Sequence, residues 1–342
     1  MSHSNSSLNT FATCMMLYNH QYLLHTEVAH KPNYHFMFGT MAHEVLEKAG
    51  RLRDEYSDGV SEEKYYDIIP SEVLYSDLKQ EFQISSWTSY FTEVIKQVAK
   101  YESQCIIELF GDPVKCSIDD SLQIFREKKL CITVDDLKAH NIYNIKQSIV
   151  GVVDFLAISK THAYIIDYKF STSRKTQDDF DINSQLPLYA LMVHYIYGIP
   201  LHNIKYGYID IPKKSFDTPT VLSNGTLSRS KAQNVSAEFY EKCVKAIHGE
   251  DDEKFNCKKD GYYYDAYCNL LLNKAAYLST QYLDESAVKG ITSDLFDAAA
   301  MIDYMIEHQM KFIKKYSAYT CKGCDYLPVC KPWLEVDFDG DN

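Results

Sequence analysis

The stretch from Ile149 to Tyr189 limits what this chain can fold into more than any other part of it. Two apolar runs of strand length, Ser148 to Ile158 and Ala163 to Phe170, flank the polar break Ser159-Lys160-Thr161-His162, a pattern that predicts a β-hairpin. Ionisable side chains interrupt both runs. Asp154 stands among Val150, Val152, Val153, Phe155 and Leu156, and Asp167 and Lys169 follow Ile165 and Ile166. Because side chains alternate along a strand, Ile165, Asp167 and Lys169 share one face. Two carboxylates and a lysine therefore meet on neighbouring strands. One reading is a buried ion pair, since a carboxylate taken out of water needs a partner. The other is a divalent-cation site: hard cations take carboxylate oxygens and water, and a lysine beside them can orient or deprotonate that water. The second reading accounts better for three ionisable groups on one apolar strand pair, because such crowding costs stability that only a function recovers.

The surrounding spacing carries a resemblance. Asp154, twelve intervening residues and Asp167-Tyr168-Lys169 resemble the D…(D/E)XK signature of the PD-(D/E)XK nuclease superfamily. Gln185 and Tyr189 resemble the Q-x-x-x-Y motif that follows it in RecB-type members. Gly39-x-x-x-His43-x-x-Leu46-Glu47 is similar to the family's Gly…His…Leu-Glu motif, whose histidine is a metal ligand. By periodicity alone His43 lies on the flank of the stripe Met41, Ala42, Val45, Leu46 and Ala49 and reads as a surface residue; the resemblance makes it a ligand and leaves Glu44 and Glu47 as solvent-facing or supporting groups. Glu127 stands where many members keep a glutamate ahead of the Asp154 strand, and an exposed strand-end charge is its plain alternative.

The resemblance implies an α/β fold with a restriction-endonuclease-like mixed-sheet core. It also implies Mg²⁺ or Mn²⁺ held by His43, Asp154, Asp167 and the Tyr168 carbonyl. Lys169 would act on the water, Gln185 and Tyr189 would position substrate or Lys169, and Glu127 would lie in support. The implied activity is that of a metal-dependent DNA nuclease, an exonuclease on single strands or duplex ends, partnered by a helicase or recombination protein. A non-catalytic DNA-binding scaffold of a recombination or repair complex and an RNA-processing nuclease are the alternatives.

Ten cysteines in a long chain of intracellular type point to thiols or metal ligands rather than to disulfides. Six are scattered, but Cys321, Cys324 and Cys330 form a C-x₂-C-x₅-C run that needs a fourth ligand, and Cys14 is the candidate. Zinc accepts four thiolates, although usually from two close pairs. One distant and three close cysteines resemble instead the [4Fe-4S] clasp of RecB-type exonucleases, found in AddB subunits, CRISPR-associated exonucleases and phage proteins. The proline that follows the first clasp cysteine in that branch is Met15 here, and the basic residues usual after it are Asn19, His20 and Gln21.

The net charge of −12 is adverse for a nucleic-acid binder, so the charge has to be uneven. Lys169, Arg174 and Lys175 cluster after the hairpin, Lys311, Lys314, Lys315, Lys322 and Lys331 near the C-terminus, and the acidic run Glu250-Asp251-Asp252-Glu253 can face away. No apolar run nears the ~18 residues of a membrane span, and the N-terminal sequence has no basic segment leading into an apolar one, so a cytoplasmic protein is expected.

One nuclease domain over 1–342 is expected, with a helical insertion at 51–123 and a second insertion at 212–292, irregular and tyrosine-rich, including Gly261-Tyr262-Tyr263-Tyr264. Periodicity predicts helices over Ser6 to Leu24 with Ser6 or Ser7 as cap, Phe38 to Ala49, and from Ser184 onward. Strands are expected over Ile124 to Val134 and Ile204 to Ile211, and a mobile polar stretch over Ser173 to Asp181. A last helix, Ser293 to Tyr316, with Leu295, Ile302, Ile306, Ile313 and Tyr316 inward, leads into a clasp within 293–334 that closes on Cys14.

Overall fold

A computed structural model describes residues 2–28, 33–56, 60–110, 122–171, 176–214, 216–230, 233–249, 253–259, 261–282, 284–315 and 317–330. Among the residues named above, Ser173, Arg174, Lys175, the acidic run from Glu250 to Asp252, Tyr316 and Lys331 lie outside these ranges. The fold is mixed α/β. Its centre is a six-stranded sheet of β1 (Ser2–Ser4), β2 (Gln123–Ile132), β3 (Ser148–Ile158), β4 (Ala163–Ser171), β5 (Ile204–Pro212) and β6 (Tyr277–Tyr282). The order is β1-β3-β4-β5-β6, with β2 on β3; β1 and β3 pair in parallel, as do β4 and β5, and the other pairs are antiparallel.

β2 covers one edge of β3 from Ile149 to Ile158, so β1 and β4 share the other edge. β1 pairs with Ser148–Val150 and β4 with Phe155–Ile158, which leaves Gly151 to Asp154 unpaired between them. That gap is where the site forms.

Each face of the sheet carries its own core. On one face the helices Asn5–Thr13, Gln185–Tyr197 and Glu285–Glu307 pack on Ile149, Val153, Leu156 and Ile165. On the other, the helices Tyr34–Glu55 and Trp87–Phe110 pack on Phe155, Tyr164, Ile166 and Tyr168. Trp87, Phe91, Val94, Ile95 and Val98 are essentially solvent-free and recur at helical spacing; each such side chain contributes roughly 1.5 to 3 kcal/mol by leaving water. Asn33 caps the Tyr34–Glu55 helix through its side chain, and the pairs Glu44–Lys48 and Glu47–Arg51 support its exposed side, so it outruns the predicted Phe38 to Ala49 at both ends. Gly50 permits that extension, because the Arg126 side chain fills the space a Cβ would take.

Several expectations are corrected. The N-terminal helix does not run unbroken from Ser6 to Leu24: Ser4, not Ser6 or Ser7, caps Asn5–Thr13 through a capping box with Ser7, and Cys14 is extended at φ −158° before the chain resumes at Met15. The last long helix is Glu285–Glu307, not Ser293 to Tyr316, and it stops where Gln309 adopts the left-handed region at φ 50°. Leu295 and Ile302 face inward as expected, but Ile306 and Ile313 are exposed. The polar stretch from Ser173 holds a helix, Gln177–Ile182, because Thr176 and Asp179 form a capping box. Segment 212–292 is not irregular: Ala237–His248 and Tyr264–Leu270 share a small third core with the buried Tyr263, and β6 extends the main sheet. No helix among the described residues is long and apolar enough to cross a membrane.

Candidate active site

The catalytic-type residues converge where two strands lose their regularity together. Along β2, Arg126 lies on the face of the Trp87 helix, reaching Glu102 and the Phe155 ring, whereas Leu130 and Ile132 lie on the opposite face. Along β3 the same change occurs between Phe155 and Val153. An even repeat cannot do this without an irregular residue, and Glu127 supplies it at φ 48°, a left-handed conformation that is strained for a residue with a Cβ. Pairing runs Arg126↔Phe155 and Lys128↔Val153 on either side, so Glu127 and Asp154 face each other across the break. The break turns two strand positions into a pair of convergent carboxylates.

Asp154 is nearly buried, and its Oδ2 accepts the Tyr168 backbone N–H at 2.6 Å. That bond sits just past the last β3–β4 ladder pair, Phe155↔Ile166, so a side chain replaces the backbone partner as the strands part. His43, delivered by the Tyr34–Glu55 helix, places Nδ1 3.5 Å from Asp154 Oδ1 and 3.6 Å from Glu127 Oε1. His43, Glu127 and Asp154 gather three ligand atoms within 4.8 Å of one another, and among the described residues no other acid, histidine or cysteine group does so.

The electrostatics fit a cation-binding site. Burial, and then the Asp167 charge, push the Asp154 carboxyl up to about 8. Burial would lower the His43 imidazole, but hydrogen bonding to Glu127 and the Asp154, Asp167 and Glu127 charges raise it above its ordinary value. The cluster as it stands binds protons where a divalent ion would remove the need for them.

Asp167 and Lys169 share a face of β4 as predicted, and Lys169 Nζ lies 2.7 Å from Asp167 Oδ2. Nζ also donates to Gln185 Oε1 at 2.9 Å, and Gln185 Nε2 donates to the Tyr189 hydroxyl at 2.9 Å. Four predicted residues thus form one line, and Lys169, still partly exposed, opens on the groove beside His43, Glu127 and Gly39. The Tyr189 ring lies over Gly151, where a Cβ would come within 2.6 Å of it, so a glycine at that point of β3 lets the tyrosine reach its place. Glu127 stands with His43 and Asp154, while Asp167 is engaged with Lys169.

Sequence reasoning missed the support behind the site. The Tyr168 hydroxyl donates to Glu102 on the Trp87–Phe110 helix, and Glu102 also pairs with Arg53 and Arg126 at 2.9 Å. Burial opposes ionisation of Glu102, but the charges of Arg126 and Arg53 outweigh it and hold the carboxyl below its ordinary value. The available signal was a charge four residues beyond Val98 on an otherwise apolar stripe.

The structure also brings the four clasp cysteines together. Cys14, Cys321, Cys324 and Cys330 line one small cavity with Met16, Leu17, His20 and Tyr326. Burial, and less strongly the nearness of the other three thiols, raise the Cys324 thiol above its ordinary value. Lys314, from the C-terminal basic cluster, lines the same cavity and donates to the Cys330 carbonyl.

This combination, a mixed sheet with an acid and histidine cluster beside an Asp-x-Lys strand, is that of a metal-dependent nuclease. The profile of the PD-(D/E)XK nuclease superfamily matches residues 2–331, and the chain belongs to that superfamily. No curated protein matches it significantly. The solved crystal structure of SSO0001 aligns with 84% of this chain and 83% of its own at 12% sequence identity and a TM-score of 0.24, too low a score to bear on fold or function.

Proposed function

We propose that this chain is an Mg²⁺- or Mn²⁺-dependent deoxyribonuclease that hydrolyses phosphodiester bonds of single-stranded DNA or duplex ends as an exonuclease. The observation that supports it most is the convergence of Glu127, Asp154 and His43 beside the Asp167–Lys169 pair. His43, Asp154 and Glu127 would hold the ion, with Asp167 and the Tyr168 carbonyl in reach from β4. When bound, the ion lowers the pKa of its water and offsets charge developing on the phosphate. Asp167 and Gln185 fix the Lys169 ammonium at the groove wall, where it can orient the attacking water and take part in its deprotonation. Tyr189 fixes Gln185, so the pair positions Lys169.

The four thiols around one cavity fit a polynuclear cluster, and we read Cys14, Cys321, Cys324 and Cys330 as ligands of a [4Fe-4S] group that ties the termini together. A four-thiolate zinc site, with Zn–S distances of about 2.3 Å, is the other assignment that chemistry allows. A helicase or recombination protein as partner rests on the family resemblance.

The test is end-labelled single-stranded DNA, duplex DNA and RNA, each with Mg²⁺, Mn²⁺ or EDTA. Metal-dependent release of nucleotides from DNA ends is expected. Cleavage of RNA alone would reassign the substrate, and no cleavage under any condition would leave a binding scaffold. Undiminished activity in Asp167→Ala would overturn the site. His43→Ala should lose activity and recover part of it in excess Mn²⁺.

A further inference from the structure

Beyond the ligand cluster the groove continues to His35, near the start of the Tyr34–Glu55 helix, and beside His35 lies a lysine that the chemistry above does not use. Lys213 follows the C-terminal end of β5, and its backbone N–H donates to the Ser171 carbonyl at the end of β4. It therefore emerges next to the strand that carries Asp167 and Lys169. Its side chain is only 7% exposed. Nζ lies 3.0 Å from His35 Nδ1 and 3.4 Å from the His35 carbonyl oxygen, and it stands 5.6 and 5.3 Å from the ring centroids of Phe38 and Phe82. Phe38 in turn touches Phe170, whose ring meets that of His43. One aromatic layer separates this lysine from the metal-ligand cluster.

The other cations around the groove carry carboxylates: Lys48 has Glu44, Arg51 has Glu47, Lys169 has Asp167 and Arg126 has Glu102. Among the described residues Lys213 has no carboxylate within ion-pair distance. A buried lysine without an anion is rare, because removing an ammonium from water costs several kcal/mol, and ring faces with one imidazole offset only part of that. Burial lowers its pKa accordingly. The ammonium has three protons, and the His35 ring nitrogen and carbonyl take two of them. With Nδ1 accepting, the His35 ring proton sits on Nε2, a second donor for an anion. At the same rim Phe36 is 72% exposed, a large apolar ring with nothing over it in a groove that otherwise offers Glu44, Glu47 and Glu127.

We propose that Lys213 and His35 form an anion subsite for the DNA phosphate adjacent to the scissile one, with Phe36 presenting its ring to the neighbouring unpaired base. This rests on the nuclease reading and names how the strand is held. It also meets the charge difficulty: in a chain of net charge −12, one cation screened from carboxylates holds the strand where the acidic groove repels it.

The test is fluorescence anisotropy of a labelled single-stranded oligodeoxynucleotide with Ca²⁺ in place of the catalytic ion. Lys213→Gln should weaken binding about tenfold and reduce the slope of log affinity against log salt by about 0.7, the value for one single-strand phosphate contact. Lys213→Arg should keep most of the affinity, and Phe36→Ala should weaken binding several-fold. A scan of single neutral methylphosphonate linkages gives a second measure that needs no variant: the wild type should lose affinity at one linkage beside the cut, and Lys213→Gln should not respond there. Unchanged affinity and slope in Lys213→Gln, or a scan with no such linkage, overturns the subsite while wild-type cleavage in Mn²⁺ still upholds the nuclease reading. A wild type that neither binds nor cuts the strand overturns both.

Discussion

The carboxylate site and the cysteine cavity both gather residues that are far apart in the chain, but they are built differently. Asp154, Asp167 and His43 ride on long elements, β3, β4 and the Tyr34–Glu55 helix, whose other faces are locked into the two cores. Cys14 sits at a break between helices, Cys321 and Cys330 sit on helices of five and four residues, and Cys324 lies between those two. The first site takes its shape from the sheet and the helix that carry it. The second has little local structure of its own, so there the proposed cofactor would contribute folding free energy. Substitutions should therefore act on chemistry in one region and on stability in the other.

The largest effect is expected at the cavity. Cys14 and Cys330 are 316 positions apart (330 − 14), and closing so long a loop stabilises by roughly 4 to 5 kcal/mol in the cross-link analogy. Cys14→Ala and Cys330→Ala should each lose the bound iron and lower the melting temperature by a similar amount, measured on anaerobically purified protein. One zinc per chain in the wild type would reassign the cofactor, and full iron in Cys14→Ala would break the comparison.

Glu102→Gln should come next, because it leaves Arg53 and Arg126 buried without their shared anion, a change worth about 3 to 5 kcal/mol. Since Glu102 also receives the Tyr168 hydroxyl, activity in the folded fraction should fall as well. A stable, fully active Glu102→Gln protein would show that the support behind the strand break is dispensable.

Lys169→Ala should reduce the rate of cleavage roughly a hundred- to thousandfold, the range for removing one preorganised polar group, with the circular dichroism spectrum unchanged. Gln185→Ala should lower the rate less, because it frees Lys169 without removing it. Equal losses in the two variants would assign Gln185 to the substrate rather than to the lysine.

The smallest effect is a pH slope. Asp154, raised to about 8, and His43, also raised, both bind protons more tightly in the folded state than in the unfolded one. Their stabilisation of the metal-free protein is fully present below about pH 4 and is lost as pH rises through about 8. The melting temperature without metal should fall over that interval. Millimolar Mg²⁺ should remove the fall, and Asp154→Asn should flatten it. A melting temperature that stays flat over this interval would place the carboxylate in a solvated setting.

The amino-acid order was enough for the local parts. The hairpin, its Asp154 and Asp167-x-Lys169 positions, the Gln185 helix and the β5 strand follow from patterns that repeat over a few residues, and local backbone sterics enforce those patterns. The grouping of Cys321, Cys324 and Cys330 was legible because they are close in sequence, whereas the choice of Cys14 as the fourth came from the family resemblance. Other features depend on contacts that no local pattern encodes. The left-handed Glu127 that turns β2 and meets Asp154 depends on β3 lying opposite. The place of β6 at the sheet edge depends on the pairing edge that β5 leaves open after a 64-residue excursion from Lys213 to Ala276 (276 − 213 + 1). The burial of Glu102 between two arginines, and of Lys213 beside His35, depends on which helix faces which strand. A side chain's type shows that it can ionise, but the cost of ionising it, and hence the chemistry it is set up for, comes from neighbours that folding brings to it from elsewhere in the chain.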